Sequence, residues 1–141
     1  MKALVVDDDS TCRLVLEDIL ARLGEVDSCS DGTEAVSAAR LALANGTPYD
    51  LICLDLLMPS MNGLEALQWI RREEECCGRP HAAKVIVTTS SEDQGNIEQA
   101  FGQLCDAYIV KPVDAGNFLD VMECVCDVDG LRGRVETKGA S

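Results

Sequence analysis

Four separated polar positions carry groups able to work together on a phosphoryl centre. Asp7, Asp8 and Asp9 follow the apolar run ALVV, and Asp55 interrupts the run LICLDLLMP at 51–59. Thr89 closes KVIVTT and Lys111 closes AYIVK. A carboxylate within an apolar run is costly unless it is paired or sits at the mouth of a strand. Several carboxylates on one rim repel each other unless a cation joins them. A hard divalent ion with oxygen ligands resolves that repulsion, and Mg²⁺ or Mn²⁺ suits such donors. Lys111 adds a second positive charge and Thr89 a hydroxyl donor. An ion, an ammonium and a hydroxyl are what the equatorial oxygens of an incoming phosphoryl group require. Aspartate is a competent nucleophile for such a group. The spacing therefore marks Asp55 as a phosphoryl acceptor beside a divalent-metal site.

These residues can meet only if the intervening elements bring strand ends to one rim. Short apolar runs alternate with helical patterns along the whole chain. Strands are expected at about 2–6, Val26–Cys29, Leu51–Leu57, Lys84–Thr89 and Ala107–Val110. The first helix is expected to be capped by Ser10, with Cys12, Leu16, Ile19, Leu20 and Leu23 inward. A second follows DGTEAVSAARLALA with Ala35, Val36, Ala39 and Leu43 inward, and a third spans Leu64–Cys76 with Leu64, Leu67 and Ile70 inward. A fourth covers about 94–104, with Gly95 and Gly102 weakening it. The last covers Asp114–Cys126, with Phe118, Val121, Met122 and Val125 inward. Alternating strands and helices imply an α/β, doubly wound (βα)5 flavodoxin-like three-layer sandwich, a parallel five-stranded sheet with helices on both faces. In the strand order 2-1-3-4-5, strands one and three flank the switch point, where such sheets place their sites.

Composition narrows the partners. The 141 residues suffice for one domain. A formal charge of −13, from 25 acids and 12 bases, argues against a nucleic-acid surface and against anionic membranes. No apolar run reaches membrane-spanning length and MKALVVDDDS does not read as a signal peptide, so a cytoplasmic location is expected. Eight cysteines, mostly inside apolar patterns, are expected to be reduced packing residues without metal-site spacing. Residues 127–141 hold few apolar side chains and are expected to form a mobile tail behind a domain over 1–126.

VVDDDST at 5–11, LDLLMPSMNG at 54–63, VTTS at 87–90 and YIVKP at 108–112 occur in an order and at intervals that resemble the response-regulator receiver domain of two-component signalling, over about 1–126. The resemblance implies roles residue by residue. Asp55 matches the phosphorylated aspartate, Asp8 the direct Mg²⁺ ligand and Asp7 its companion. The backbone carbonyl of Leu57 matches a third protein ligand. Lys111 matches the phosphate-binding lysine, followed by a cis peptide to Pro112. Thr89 matches the switch hydroxyl and Tyr108 the aromatic that turns inward on activation. Thr88 competes with Thr89, but spacing from Lys111 favours Thr89, and Thr88 is expected to point to the opposite side of the strand. Leu57 and Ser91 match side chains bordering the path of hydrolytic water, and an apolar Leu57 is expected to slow phosphate loss.

The similarity also implies a switch that catalyses its own phosphorylation and is not an enzyme acting on separate substrates. A histidine kinase or phosphotransfer protein supplies the phosphoryl group. The charge on Asp55 then alters the surface of the fourth helix, fifth strand and fifth helix for a downstream protein target. A monomer or weak dimer is expected. No output domain is expected after the last helix, which leaves direct target binding or a relay role; DDDSTCR is similar to the chemotaxis type.

Blander readings accompany each residue. The acids at 7–9 could be a solvated turn at a helix start, Asp55 a strand-end residue satisfied by backbone donors, and Lys111 a surface lysine. Tyr108 could be half-buried core and Thr89 a strand hydroxyl. His81 reads as a surface residue and Trp69 as partly exposed. The acids of the last helix, Asp114, Asp120, Glu123 and Asp127, read as a solvated face. Two other functions compete. The fold could serve as an unphosphorylated binding module. D-x-D-x-T at Asp7, Asp9 and Thr11 is also similar to the nucleophile motif of haloacid-dehalogenase-type phosphatases, with Asp7 as nucleophile and Asp9 as acid. That reading lacks the acidic pair such enzymes carry after their lysine, and it leaves Asp55 unexplained.

Overall fold

A computed structural model describes residues 1–56, 58, 61–78, 82–89 and 104–125. Five strands, β1 (Lys2–Val6), β2 (Glu25–Cys29), β3 (Leu51–Asp55), β4 (Lys84–Thr89) and β5 (Ala107–Val110), pair in parallel in the order β2-β1-β3-β4-β5. The helices are α1 (Ser10–Ala21), α2 (Gly32–Ala44), α3 (Gly63–Cys77) and α4 (Ala115–Val125). The expected strand order is therefore present. The helix predicted over 94–104, the tail at 127–141 and His81 lie outside the described residues. Among the described residues, no helix is long and apolar enough to cross a membrane.

Strand alternation divides the core in two. Leu4, Val6, Ile52, Leu54, Val85 and Val87 face one way and pack with Ala35, Ala39, Leu67 and Ile70 of α2 and α3. Ala3, Val5, Leu51, Cys53, Ile86 and Ile109 face the other and pack with Leu16, Leu20, Phe118 and Met122 of α1 and α4. The central strands are buried on both sides, which explains why they read as unbroken apolar runs.

Several local expectations change. The cap of α1 is Asp9, whose side chain accepts from the Thr11 amide at 3.0 Å; Ser10 is instead the first helical residue. Both residue types cap well, and the turn leaving β1 selects the earlier one. The cap of α2 is Asp31 and that of α3 is Asn62. β3 ends at Asp55, so the acceptor candidate is its last residue. Leu43 and Leu64 are half-buried, and small Ala42 and Ala66 take the inner positions on their helices. Glu123 is buried, so the acids of α4 are not all on a solvated face. Cys76, Cys77 and Cys124 are exposed, which limits the packing role to Cys12, Cys29, Cys53 and Cys105 among the described cysteines. Trp69 is 42% exposed, as the helical stripe predicts.

A charged clasp holds the other end of the sheet. Glu74 is buried on α3 and accepts from the Ala83 amide at 2.8 Å and from Arg71 Nη1 at 2.9 Å. Arg71 Nη1 also donates to the Ala83 carbonyl at 2.8 Å, and Nε and Nη2 donate to the Leu104 carbonyl at 3.1 and 2.7 Å. Asp106 accepts from the Val85 amide at 2.8 Å. One guanidinium thus ties α3 to the segments entering β4 and β5. Removing one partner of a buried pair strands the other charge. Arg71→Ala should therefore cost about 3 kcal/mol in denaturant unfolding. The Arg71→Ala/Glu74→Ala double variant should lose less than the sum of the single losses. Additive losses below about 1 kcal/mol would show the clasp to be incidental.

Candidate functional site

The parallel order brings the C-terminal ends of β1 and β3 side by side, with Val6 registered against Leu54. The next residue on each strand is a carboxylate. Asp7 is fully buried, Asp55 is 6% exposed and Asp8 is exposed at the rim. One ligand oxygen from each of Asp7, Asp8 and Asp55 lies within 4.8 Å of the other two, close enough to share a metal ion. Lys111 reaches this group from the end of β5. Its Nζ stands 3.0 Å from Asp7 Oδ2 and 3.3 Å from Asp55 Oδ1.

Asp7 is fixed at several atoms. Its amide donates to the Cys29 carbonyl at 3.2 Å, and its Oδ1 accepts from the Asp9 amide at 2.9 Å. Its carbonyl accepts from Arg13 Nη1 at 2.7 Å. Asp9 is committed to capping α1, so it does not stand beside Asp7 as a free acid.

Asp55 is positioned by the loop that follows it. The Leu56 amide donates to the Thr88 carbonyl at 2.9 Å, continuing the ladder one step past β3, and the Gly63 amide donates to the Leu56 carbonyl at 2.9 Å. A Cβ at Gly63 would collide with the carbonyl oxygen of Asp55, and one at Gly32 would stand 2.5 Å from the Met61 carbonyl oxygen. Two glycines thus let the M-N-G turn lie against both the strand tip and the start of α2.

The electrostatics follow from the crowding. Burial, then the charge of Asp7, push the Asp55 carboxyl up to about 7 against the pull of Lys111. Burial works against the charged form of Lys111, but the hydrogen bond to Asp7 and the charges of Asp55 and Asp7 outweigh it and raise its pKa. Burial, then a hydrogen bond to Asp7, push the Cys12 thiol up to about 12, so it stands beside the site as a protonated group. Three carboxylates facing one ammonium leave a negative excess that suits a divalent cation, and carboxylate oxygens are the donors such a hard ion takes. The residues present fit that ion.

The other predicted residues fall around this group. Thr88 and Thr89 are both buried at the end of β4. Asp55 is registered against Thr88, so alternation puts Thr88 on the same sheet face as Asp55 and not on the opposite side. Thr89 is the last strand residue, registered against Val110, and its carbonyl accepts from the Lys111 amide at 2.6 Å. Tyr108 is half-buried, packs on the α2–α3 side and is registered against Val87. The Lys111–Pro112 peptide is cis. Leu57 and Ser91 lie outside the described residues. Arg13 escaped the sequence reading; its place three residues after the first helical residue, next to the acids, was the available signal.

Comparison with known proteins matches this arrangement. The chain is 38% identical over 112 residues to the transcriptional regulatory protein ResD of Bacillus subtilis, covering 79% of this chain and 42% of ResD. The chain spans less than half the length of the curated relatives it matches. Among solved structures it resembles the receiver domain of a sensor histidine kinase from Pseudomonas aeruginosa, which has a magnesium ion coordinated in its active-site cleft. The TM-score is 0.73 at 26% identity, covering 90% of this chain and 98% of that one. It also resembles the receiver domain of the histidine kinase CKI1 from Arabidopsis thaliana, complexed with Mg²⁺ and BeF₃⁻. There the TM-score is 0.67 at 29% identity, covering 85% and 88% of the two chains. The family model for the response regulator receiver domain matches residues 3–123, and the chain belongs to that family of two-component signalling.

Proposed function

We propose that this chain is a phospho-accepting switch, with a receiver domain over 1–126 followed by a tail at 127–141. A histidine kinase or phosphotransfer protein is its donor, a downstream protein is its target, and the cytoplasm is its location. The observation that carries this reading is the ammonium of Lys111 held between Asp7 and Asp55, 3.0 and 3.3 Å away, with Asp8 close enough to complete a metal site. That is a cradle for an anion that arrives at Asp55.

In the proposed step, a carboxylate oxygen of Asp55 attacks the phosphorus of a phosphohistidine. The new O–P bond forms as the N–P bond breaks, and the imidazole leaves with its electron pair. Asp7, Asp8 and Asp55, with the Leu57 carbonyl as a further ligand, would hold Mg²⁺ or Mn²⁺, which supplies positive charge to the phosphoryl oxygens. Lys111 is placed to exchange its pairing with Asp55 for the arriving phosphoryl group, because its two contacts are to the carboxylates themselves. Burial excludes water from the acceptor. Thr89 then donates its hydroxyl to the phosphoryl group, Tyr108 follows inward, and the surface around β5 and its flanking helices changes for the target. Spacing to Lys111 supports Thr89 in that role, and register makes Thr88 the alternative.

Incubation with Mg²⁺ and acetyl phosphate should add one phosphoryl group, about 80 Da by intact mass. The gain should vanish with chelator and in Asp55→Asn. No gain under any condition would favour an unphosphorylated binding module, and a gain that survives Asp55→Asn would move the acceptor elsewhere.

The raised pKa of Asp55 sets a pH dependence. A folded-state value of about 7, above the ordinary 3.8, means the folded protein holds a proton that the unfolded chain has lost between those limits. Stability from this group is present at low pH and declines as pH rises from about 4 through about 7. In chelator, Asp55→Asn should melt higher than the wild type at pH 8, by roughly 5 °C, and the gap should close near pH 5. Mg²⁺ should raise the wild-type midpoint more at pH 8 than at pH 5, because it competes with the proton. A gap independent of pH would refute the shift.

A further inference from the structure

The acidic pair is held by a residue outside it. Arg13, the fourth residue of α1, is half-buried and donates from Nη1 to the Asp7 carbonyl at 2.7 Å. That carbonyl belongs to the peptide joining Asp7 to Asp8, so its direction sets the plane from which Asp8 departs. The other restraints on Asp7 act elsewhere: Cys29 on its amide, the Asp9 amide on Oδ1 and Lys111 on Oδ2. Asp8 is exposed and follows directly on the peptide that Arg13 grips. The same residue is anchored within its helix, its amide donating to the Asp9 carbonyl at 3.0 Å.

We propose that Arg13 is a positioning residue that presets the Asp7–Asp8 peptide for divalent-cation binding. The inference rests on the phospho-acceptor reading above and adds to it. A metal site is only as tight as the groups that orient its ligands, and losing one such group typically weakens binding by roughly 10- to 100-fold. The forked guanidinium suits the task because it keeps its charge and holds a fixed donor direction. Arg13 touches neither the metal position nor the acceptor oxygen, so its effect should fall on affinity for the ion and not on the chemical step once the site is full.

The test is calorimetric titration of Mg²⁺ into the chelator-treated 141-residue chain at pH 8, for wild type, Arg13→Met, Arg13→Gln and Arg13→Lys. Circular dichroism confirms that each is folded. The phosphorylation rate with acetyl phosphate is then measured against Mg²⁺ concentration. Arg13→Met should bind Mg²⁺ about tenfold more weakly. Arg13→Lys should recover most of that loss, and Arg13→Gln, which keeps a donor without charge, should fall between. The rate at saturating Mg²⁺ should stay within about twofold of the wild type. Unchanged Mg²⁺ affinity in folded Arg13→Met or Arg13→Gln overturns the inference alone. So does a lysine variant as weak as the methionine one, or a fall in the saturated rate that matches the fall in affinity. A wild type that takes up no Mg²⁺ overturns the acceptor reading, and this inference with it.

Discussion

Three carboxylates are packed against one ammonium at the tips of two neighbouring strands. Lys111 touches Asp7 and Asp55 at the same time, yet one positive charge cannot neutralise both together with Asp8. The excess appears in the Asp55 carboxyl, which burial and Asp7 push up to about 7 despite Lys111. The protein's own charges thus leave the cluster unbalanced. Under the proposed function a cation would relieve it, and a phosphoryl group brought in with that cation would take the lysine for itself. The imbalance would then be what draws both ligands in, because a fully neutralised cluster would have no use for either.

The rest of the fold holds that imbalance in place. The 2-1-3-4-5 order puts β1 and β3 in contact and leaves β5 one strand beyond β4, near enough for the long lysine side chain to span. Side-chain caps at Asp9, Asp31 and Asn62 begin the helices at that same rim. Gly63 lets the turn before α3 lie against the carbonyl of Asp55, and Gly32 lets the start of α2 lie against Met61. Each feature is local, and each acts on where one backbone atom can go.

The strands were the most legible part of the chain. Buried parallel strands must be apolar on both faces, so each reads as a run, and a polar residue closing the run marks the rim. Asp7 and Lys111 were readable for this reason; Asp55 stood out because it interrupts such a run, and only the structure ends the strand there. The choice between Thr88 and Thr89 was not, because alternation fixes a side chain's face only once the register with β3 is known. Glu123 and the Arg71–Glu74 pair were illegible for a related reason. A charged residue on a helix looks solvated in sequence unless the neighbours that bury it are known, and for Arg71 and Glu74 these are Ala83 and Leu104, beyond the helix. Asp9 displaced Ser10 as the cap of α1 because both types serve and the path of the chain leaving β1 decides between them. The exposed Cys76, Cys77 and Cys124 show the converse, residues of apolar character on the outer face of a helix.

The two ends of the sheet also divide their tasks. The carboxyl ends of the strands carry like charges in contact, which favours opening. At the amino ends of β4 and β5, Arg71 and Lys84 match the charges of Glu74 and Asp106, and each carboxylate also accepts a backbone amide. A buried charge is tolerable when its remaining hydrogen-bonding capacity is filled, and Arg71 fills its own with the Ala83 and Leu104 carbonyls. Leu104 lies three residues ahead of β5. The clasp therefore fixes the entrance to the strand whose exit carries Lys111. Under the proposed function, a change of charge at the rim would act on β5 from one end while the other stays anchored, a local shift and not a loss of the sheet. That separation lets a repulsive site persist in a stable domain.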